Sequence, residues 1–462
     1  MTARHPIFKK LCLAVPALAL CAAATAGCAG DEQAQGASVP PARAIAQLDR
    51  LVHQRVDSRR SRGIVAGMIF PDGSTHVVAY GNAGHGRRVD ARSVFEIGSI
   101  TKTFTGTLLA QAVQDGDVAL DEPVAKLLPA GVTVPSRGGK QITLEQLATH
   151  SSGLPREPVY SAAGAAGTAR YSVADLYTFL AGYKLTSDPG DPYEYSNLGV
   201  GLLGHALARR AQRTYEDLVR ERILAPLRMH STAIAPTAQM RRHLATGFDG
   251  QGVTPAWRSP TLPGGGAQRS SIGDMLRFAA ANLDAGGDAL RRAMATARAS
   301  HTMHEVGLGW ERGDHGVVWK DGGTWGFASF IGLDPARHTA IVLLSNSHAN
   351  VDDIGFHALD SAQPLDPVRH EIRLAARILE RYVGSYAVDG TTVTVERASD
   401  GLRVEVPGEP AARLYAATPT RFTARDDDVQ VDFQLSAHDA VTGARLRQSG
   451  QDVTATRVGG RS

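Results

Sequence analysis

Apolar positions in this chain recur with two different periods, and the changes between them divide it into regions. A helical spacing runs from Ala42 to about Arg59. Two apolar, β-branched runs follow, "GIVAGMIF" and "THVVAYGNAG", on either side of the turn "PDGS", and they predict an antiparallel hairpin. A third run, "SVFEIGS", feeds a predicted helix from Ser99 to about Gln114. From Asp115 to about Ala285 the pattern becomes short helices broken by Pro and Gly. Strand signals then return in "GLGWERG", "GVVWKDGG", "FASFIGLDP" and "HTAIVLLSN". Strands bracketing a helical middle predict one antiparallel sheet assembled from both ends, with helices on its faces and a mainly helical subdomain inserted. That is an α/β (α+β) fold. After Asn350 come a helix and a polar connection, "SAQPLDPVRHE". From Tyr382 onward, short strand-like runs separated by turns predict a small all-β module, a sandwich or a barrel. The domains read as residues 42–360 and 375–462.

The first residues have a different character. Arg4, Lys9 and Lys10 precede an apolar stretch from Leu11 to Ala24, followed by the small residues of "ATAGC". This is the pattern of an export signal over residues 1–28, too short for a membrane span. Small residues before Cys28 also fit a lipoprotein leader that would leave Cys28 lipidated, although Thr25 stands where a larger aliphatic residue is usual. Residues 29–41, small and polar with a Pro pair, read as a flexible tether. All three cysteines, Cys12, Cys21 and Cys28, fall in the leader, so the folded domains are expected to rely on core packing without disulfides. The formal net charge of +3 is carried by the leader, which leaves the remainder neutral. A neutral chain has no field to gather nucleic acid or anionic lipid, so neither is an expected partner, and membrane attachment is expected only through a lipid anchor.

The chemistry concentrates in "FEIGSITKTF". Ser99 and Lys102 stand at i and i+3, a spacing that puts both side chains on one helix face. Ser99 opens the helix, where unpaired N–H groups favour negative charge. Lys102 becomes a proton acceptor if burial and nearby cations lower its pKa. Two further segments follow in order. "YEYSNLGVGLLG" carries Tyr195-Ser196-Asn197, and "KDGGTWGFASF" carries Lys320-Asp321-Gly322. Together with "LATHSSGLP", Leu147 to Pro155, these resemble the motifs of serine penicillin-recognising enzymes over about Ala42 to Asn350. The nearest likeness is to class C β-lactamases and the related D-Ala peptidases and esterases.

That resemblance implies roles. Ser99 would be acylated, and Lys102 and Tyr195 would share its proton. Asn197 would hold the substrate's side-chain amide and help position Lys102, while Lys320 would add positive charge. Backbone N–H groups of Ser99 and Gly323 would form the oxyanion hole beside Gly322. Two residues depart from the pattern: Thr101 mildly, in place of the Ser or Ala common before the motif lysine, and Asp321 more seriously, standing where many members have Thr, whose hydroxyl helps bind a substrate carboxylate. A carboxylate there repels an anion, unless it turns away or pairs with Lys320. The substrate is expected to be a β-lactam or a D-Ala peptide amide, a small molecule or a piece of peptidoglycan. A carboxylesterase on the same Ser-Lys-Tyr site and a non-catalytic envelope-binding protein are the alternatives. Two look-alikes are set aside. Tyr80-Gly81-Asn82 precedes the serine and lies in the hairpin, and the Gly199–Gly204 glycine pattern follows turn residues in place of a strand. With sixteen histidines but no paired ligand spacing, no metal and no cofactor is expected.

Overall fold

The computed structural model describes residues 41–158, 170–284, 286–367, 370–388, 390–407, 411–425, 429–448 and 451–458. The leader, almost all of the tether and Cys28 lie outside them. The chain divides into two units, Leu48–Asp366 and a second formed mainly by Pro367–Ser462.

In the larger unit, α1 (Pro41–Asp57) precedes the hairpin β1 (Gly63–Ile69) and β2 (Thr75–Gly84), with a short edge strand β3 (Arg87–Arg88). From the far end of the unit come β6 (Glu311–Arg312), β7 (Val318–Gly323), β8 (Ala328–Asp334) and β9 (Thr339–Ser345). The two groups join where β1 pairs antiparallel with β9, from Ile64 opposite Ser345 to Ile69 opposite Ala340. The seven-stranded order is β6-β7-β8-β9-β1-β2-β3. Every residue of β1, β8 and β9 is buried, which is why these strands read as unbroken apolar runs.

One apolar run behaves differently from its reading as a lead-in to the helix alone. Val94–Glu96 forms β4 and pairs with β5 (Arg269–Ser271), outside the main sheet. Helix α2 (Thr101–Gln114) follows, and it is buried on all sides from Thr101 to Ala110, as befits a central helix. Gly106 admits this burial, since a Cβ there would lie 1.8 Å from the Leu308 carbonyl oxygen. Phe104 of α2 stacks at 4.1 Å on Phe278, in a helix α4 (Ile272–Leu283) that packs on β1 and β9. Between them in sequence lies the helical middle, whose main element is α3 (Asn197–Arg210). Its glycines are packing residues: Cβ atoms at Gly201 and Gly204 would meet Leu262 at 2.7 Å and Tyr215 at 3.0 Å. On the opposite face of the sheet from α4, α5 (Asp352–Leu359) sets Phe356 against Trp319 and Phe330.

The smaller unit is a closed antiparallel barrel. Its eight strands, from Gly384–Val388 to Gln451–Val458, pair in chain order, and the first also pairs with the last. Of the two predicted forms, closure into a barrel is the one adopted, and it removes both sheet edges. Tyr382, Tyr386, Phe422 and Phe433 cluster in its core.

Candidate active site

Ser99 is held in the turn between β4 and α2. Leaving β4, the chain bends at Gly98, whose φ of +48° favours glycine, and makes one turn of 3₁₀ helix before α2. A Cβ on Gly98 would also sit 2.7 Å from the Gly323 nitrogen. Both the bend and the approach of the β7 terminus therefore demand glycine here. Ile97 is fixed on either side: its N–H donates to the Gln268 carbonyl at 3.0 Å, and its carbonyl accepts from Ser329 Oγ at 3.0 Å. The turn that carries Ser99 thus lies directly against the Gly323 backbone, as an oxyanion site built from the two would require.

The second segment arrives as the N-terminus of α3. Ser196, the middle residue of Tyr-x-Asn, caps that helix by accepting from Gly199 N–H, and its own hydroxyl donates to Pro155 O at 2.7 Å. Its N–H donates to Nδ1 of His150 at 3.1 Å, and the His150 ring stacks on Tyr195 with centroids 4.3 Å apart. Loop residues 150–157 therefore orient Tyr195 and Asn197 together. Asn197 N–H also donates to Arg156 O at 2.9 Å.

These elements bring the three predicted groups onto one atom. Lys102 Nζ and Tyr195 Oη each lie 2.8 Å from Ser99 Oγ. Lys102 also donates to Asn197 Oδ1 at 2.6 Å and to the Gly265 carbonyl at 2.5 Å, so every hydrogen of the ammonium has an acceptor. Complete burial lowers the Lys102 pKa below its ordinary value; Tyr195 opposes this shift and the charge of Lys320 adds to it. Burial alone would raise the Tyr195 phenol, but Lys102 and then Lys320 outweigh it and hold the phenol below its ordinary value. Both amines lie 5.0 Å from the centroid of the Tyr195 ring, and the Arg156 guanidinium lies 4.9 Å from it. His150 is pushed well below the usual imidazole range by burial and then by these same cations, so its ring is neutral.

At the third segment, Lys320 and Gly322 point toward the serine side of β7, and Trp319 and Asp321 alternate to the α5 side. A Cβ on Gly322 would fall 2.1 Å from the Ile97 carbonyl oxygen, so glycine lets β7 close on the nucleophile turn. Lys320 Nζ pairs with Asp321 at 2.9 Å and with Glu311 at 3.3 Å, and Glu311 also accepts from the Tyr193 hydroxyl at 3.1 Å. Of the possibilities for Asp321, two hold together: its place on β7 turns it to the α5 side, and it pairs with Lys320. Burial lowers the Lys320 pKa, but Asp321, Tyr195 and Glu311 more than reverse that, so the amine stays charged.

The structure adds residues that the motifs did not single out. Glu157 accepts from Asn197 Nδ2, so the Asn197 amide is engaged on both ends, by Lys102 and by Glu157. Gly265 contributes a backbone carbonyl, which side-chain identity does not announce; only the triple glycine of "PGGGA" hinted at a close approach. His150 lay inside a segment already noted by resemblance, but its stacking on Tyr195 is legible only in three dimensions. Tyr80, the look-alike, bonds Asp57 at the surface of the hairpin and takes no part.

Comparison with known proteins gives the family. Residues 48–362 match the family model described as Beta-lactamase, and residues 369–457 match a domain of unknown function, DUF3471. The D-alanyl-D-alanine-carboxypeptidase/endopeptidase AmpH of Escherichia coli (strain K12) is 30% identical over 307 residues, covering 61% of this chain and 79% of that protein. A β-lactamase of Yersinia enterocolitica is 28% identical over 326 residues (61% and 81%). Penicillin-binding protein 4 of Amycolatopsis lactamdurans is 27% identical over 323 residues (63% and 84%). A class C β-lactamase crystal structure superposes with a TM-score of 0.62 at 21% identity, over 70% of this chain and 99% of that one, a likeness of fold. By sequence, by fold and by the arrangement around Ser99, the chain belongs to the β-lactamase family of serine hydrolases.

Proposed function

We propose that this protein is an exported hydrolase that cleaves a β-lactam or a D-Ala peptide amide through an acyl-enzyme on Ser99. The observation that carries this reading is the meeting of Lys102 Nζ and Tyr195 Oη on Ser99 Oγ, each at 2.8 Å. Ser99 Oγ attacks the substrate carbonyl, and its proton passes to the Lys102–Tyr195 pair, whose lowered pKa values suit them to accept it. The carbonyl oxygen becomes an oxyanion between the N–H groups of Ser99 and Gly323. As that intermediate collapses, the C–N bond breaks, the nitrogen takes the proton back from the pair, and the acyl group remains on Ser99. Water then adds to the ester and gives its proton to the same pair; the acyl–Oγ bond breaks, Ser99 Oγ takes that proton back, and the acid is released. His150 stays neutral and acts by holding the Tyr195 ring, and Asn197 and Gly265 hold Lys102 on its far side.

A second reading, hydrolysis of an uncharged ester or internal amide, is favoured by the state of Lys320. Two carboxylates already bind it, so a substrate carboxylate has to compete with them. The leader pattern supports export, and its small residues before Cys28 support lipidation at that residue.

The test exposes leaderless protein to a fluorescent penicillin, a D-Ala-terminated muropeptide and a nitrophenyl ester, and then repeats this with Ser99→Ala. A covalent adduct at Ser99, located by mass spectrometry and lost in the variant, is the expected result. Hydrolysis that persists in Ser99→Ala rejects the mechanism. The ratio of turnover between the anionic and the neutral substrates decides between the two readings.

A further inference from the structure

Beyond the oxyanion site, β7 ends in a second feature. Two residues after Gly323 stands Trp325, a large aromatic side chain 41% exposed. Its ring lies 5.6 Å from that of Trp257, tilted by 52°. Trp257 belongs to a stretch without regular secondary structure, and yet both of its backbone polar groups are gripped. Its N–H donates to Glu96 Oε1 at 2.9 Å, and its carbonyl accepts from Arg269 at 2.8 Å. Glu96 and Arg269 are themselves a buried ion pair at 2.7 Å, 4% and 6% exposed, from the paired strands β4 and β5. Glu96 stands three residues before the nucleophile. Burying two charges is costly, and here they tie one tryptophan to the strand that leads into the Ser99 turn. Trp325 is anchored as firmly: Thr324 N–H closes a turn onto Phe327 O at 3.0 Å, and Gly326 packs so closely on residues 247–254 that a Cβ would lie 2.6 Å from the Phe248 nitrogen.

We propose that Trp257 and Trp325 form an aromatic wall that receives the acyl part of the substrate, the part retained on Ser99, and that the enzyme selects acyl groups bearing a flat apolar ring. This rests on the acyl-enzyme reading above. The carbonyl oxygen lies between Ser99 and Gly323, and the leaving atom faces Tyr195, its proton source. The remaining substituent on the reacting carbon is the acyl chain. Past Gly323, away from the ionic groups around Lys320, the chain runs through the buried Thr324 to the exposed Trp325, against which Trp257 rests, and these rings are the surface offered to it. A fixed, tilted, partly exposed ring pair offers stacking and edge contacts to a planar group at little cost in ordering, since its backbone is already held.

Two esters with the same leaving group isolate the acyl side, p-nitrophenyl acetate and p-nitrophenyl phenylacetate. The readout is the ratio of their kcat/KM values. Wild type is expected to favour the phenylacetyl ester, and Trp325→Ala and Trp257→Ala are each expected to lower the ratio about fivefold to tenfold. Trp325→Phe, which keeps a ring, is expected to retain most of the preference. Ratios within about twofold of wild type in both alanine variants overturn the wall. Trp325 is exposed, so its replacement leaves the core intact and the question answerable even if Trp257→Ala unfolds. Failure of the mechanism itself shows separately, as acetyl ester hydrolysis that survives Ser99→Ala.

Discussion

The two units of this protein treat charge in opposite ways. The larger one buries it: Lys102, Lys320, Glu96 and Arg269 are all at most 6% exposed. The barrel keeps it outside. Its Arg397–Glu380, Arg403–Glu396 and Arg421–Asp432 pairs lie at the surface, Arg425–Glu371 is only partly covered, and in its aromatic core the hydroxyls of Tyr382 and Tyr386 are capped by backbone carbonyls. Both designs fold, so buried charge is not needed for stability; desolvating an ion costs several kcal/mol that an apolar residue does not. In the larger unit Lys102, Lys320, Glu96 and Arg269 stand beside Ser99 or on the segments that aim it, while Arg55, Asp274, Arg298 and Asp334 are buried in it as well. At the site the cost falls where the chemistry is.

The sharpest way to break this contrast is to remove the atom on which the buried charges converge. Ser99→Ala is expected to lower turnover of any acyl substrate by at least about a thousandfold, with no loss of thermal stability, since only one half-buried hydroxyl is removed. Steady-state rates and a melting curve check both halves. Next in size is Arg269→Met, which leaves Glu96 buried without its partner and is expected to cost about 3–5 kcal/mol of stability in a denaturant titration. Such a loss in a residue that never touches substrate would show that the buried pair belongs to the scaffold of the site.

Lys320 tests the electrostatic part. The reaction needs the Lys102–Tyr195 pair in its proton-accepting state, which is populated above the pair's pKa. Lys320 is one of the two amines that hold Tyr195 low, so Lys320→Met raises that pKa and moves the acidic limb of the kcat/KM profile toward higher pH. An unmoved limb would assign the lowered pKa to Lys102 alone. Asp321→Thr acts in the other direction, by releasing one of the two carboxylates on Lys320. Anionic substrates are expected to gain about threefold to tenfold relative to neutral ones.

Much of this was legible in the chain because the signals are local. The apolar runs of β1 and β9, the turn at "PDGS", and Ser99, Tyr195 and Lys320 each sit within a few residues of the pattern that marks them. Their order along the chain separated Tyr195 from the look-alike Tyr80. What was not legible depends on partners distant in sequence. Nothing near Val94–Glu96 says that it pairs with Arg269–Ser271 and leaves the main sheet, and Glu96 gives no sign of being buried. Gly265 acts through a carbonyl that every residue possesses. Glu157, in a proline-flanked loop, has the look of a solvated acid. Asp321 could be weighed in advance only as a choice among outcomes, because its pairing depends on strand alternation and on how far the Lys320 amine reaches.

The smallest effect belongs to the barrel and completes the contrast. Arg421 and Asp432 lie side by side on adjacent strands, bonded at 2.6 Å and 49% and 30% exposed. By geometry alone this pair is as good as Glu96–Arg269 at 2.7 Å. In solvent, however, water and salt screen the attraction, and holding two long side chains in one pose costs entropy that offsets most of what remains. Arg421→Met is therefore expected to leave the denaturation midpoint of the protein unchanged within error, and raising the salt concentration should not separate variant from wild type. Equal losses from Arg421→Met and Arg269→Met would mean that distance, and not burial, sets the worth of an ion pair here, and the reading of the buried charges as a functional expense would fail with it.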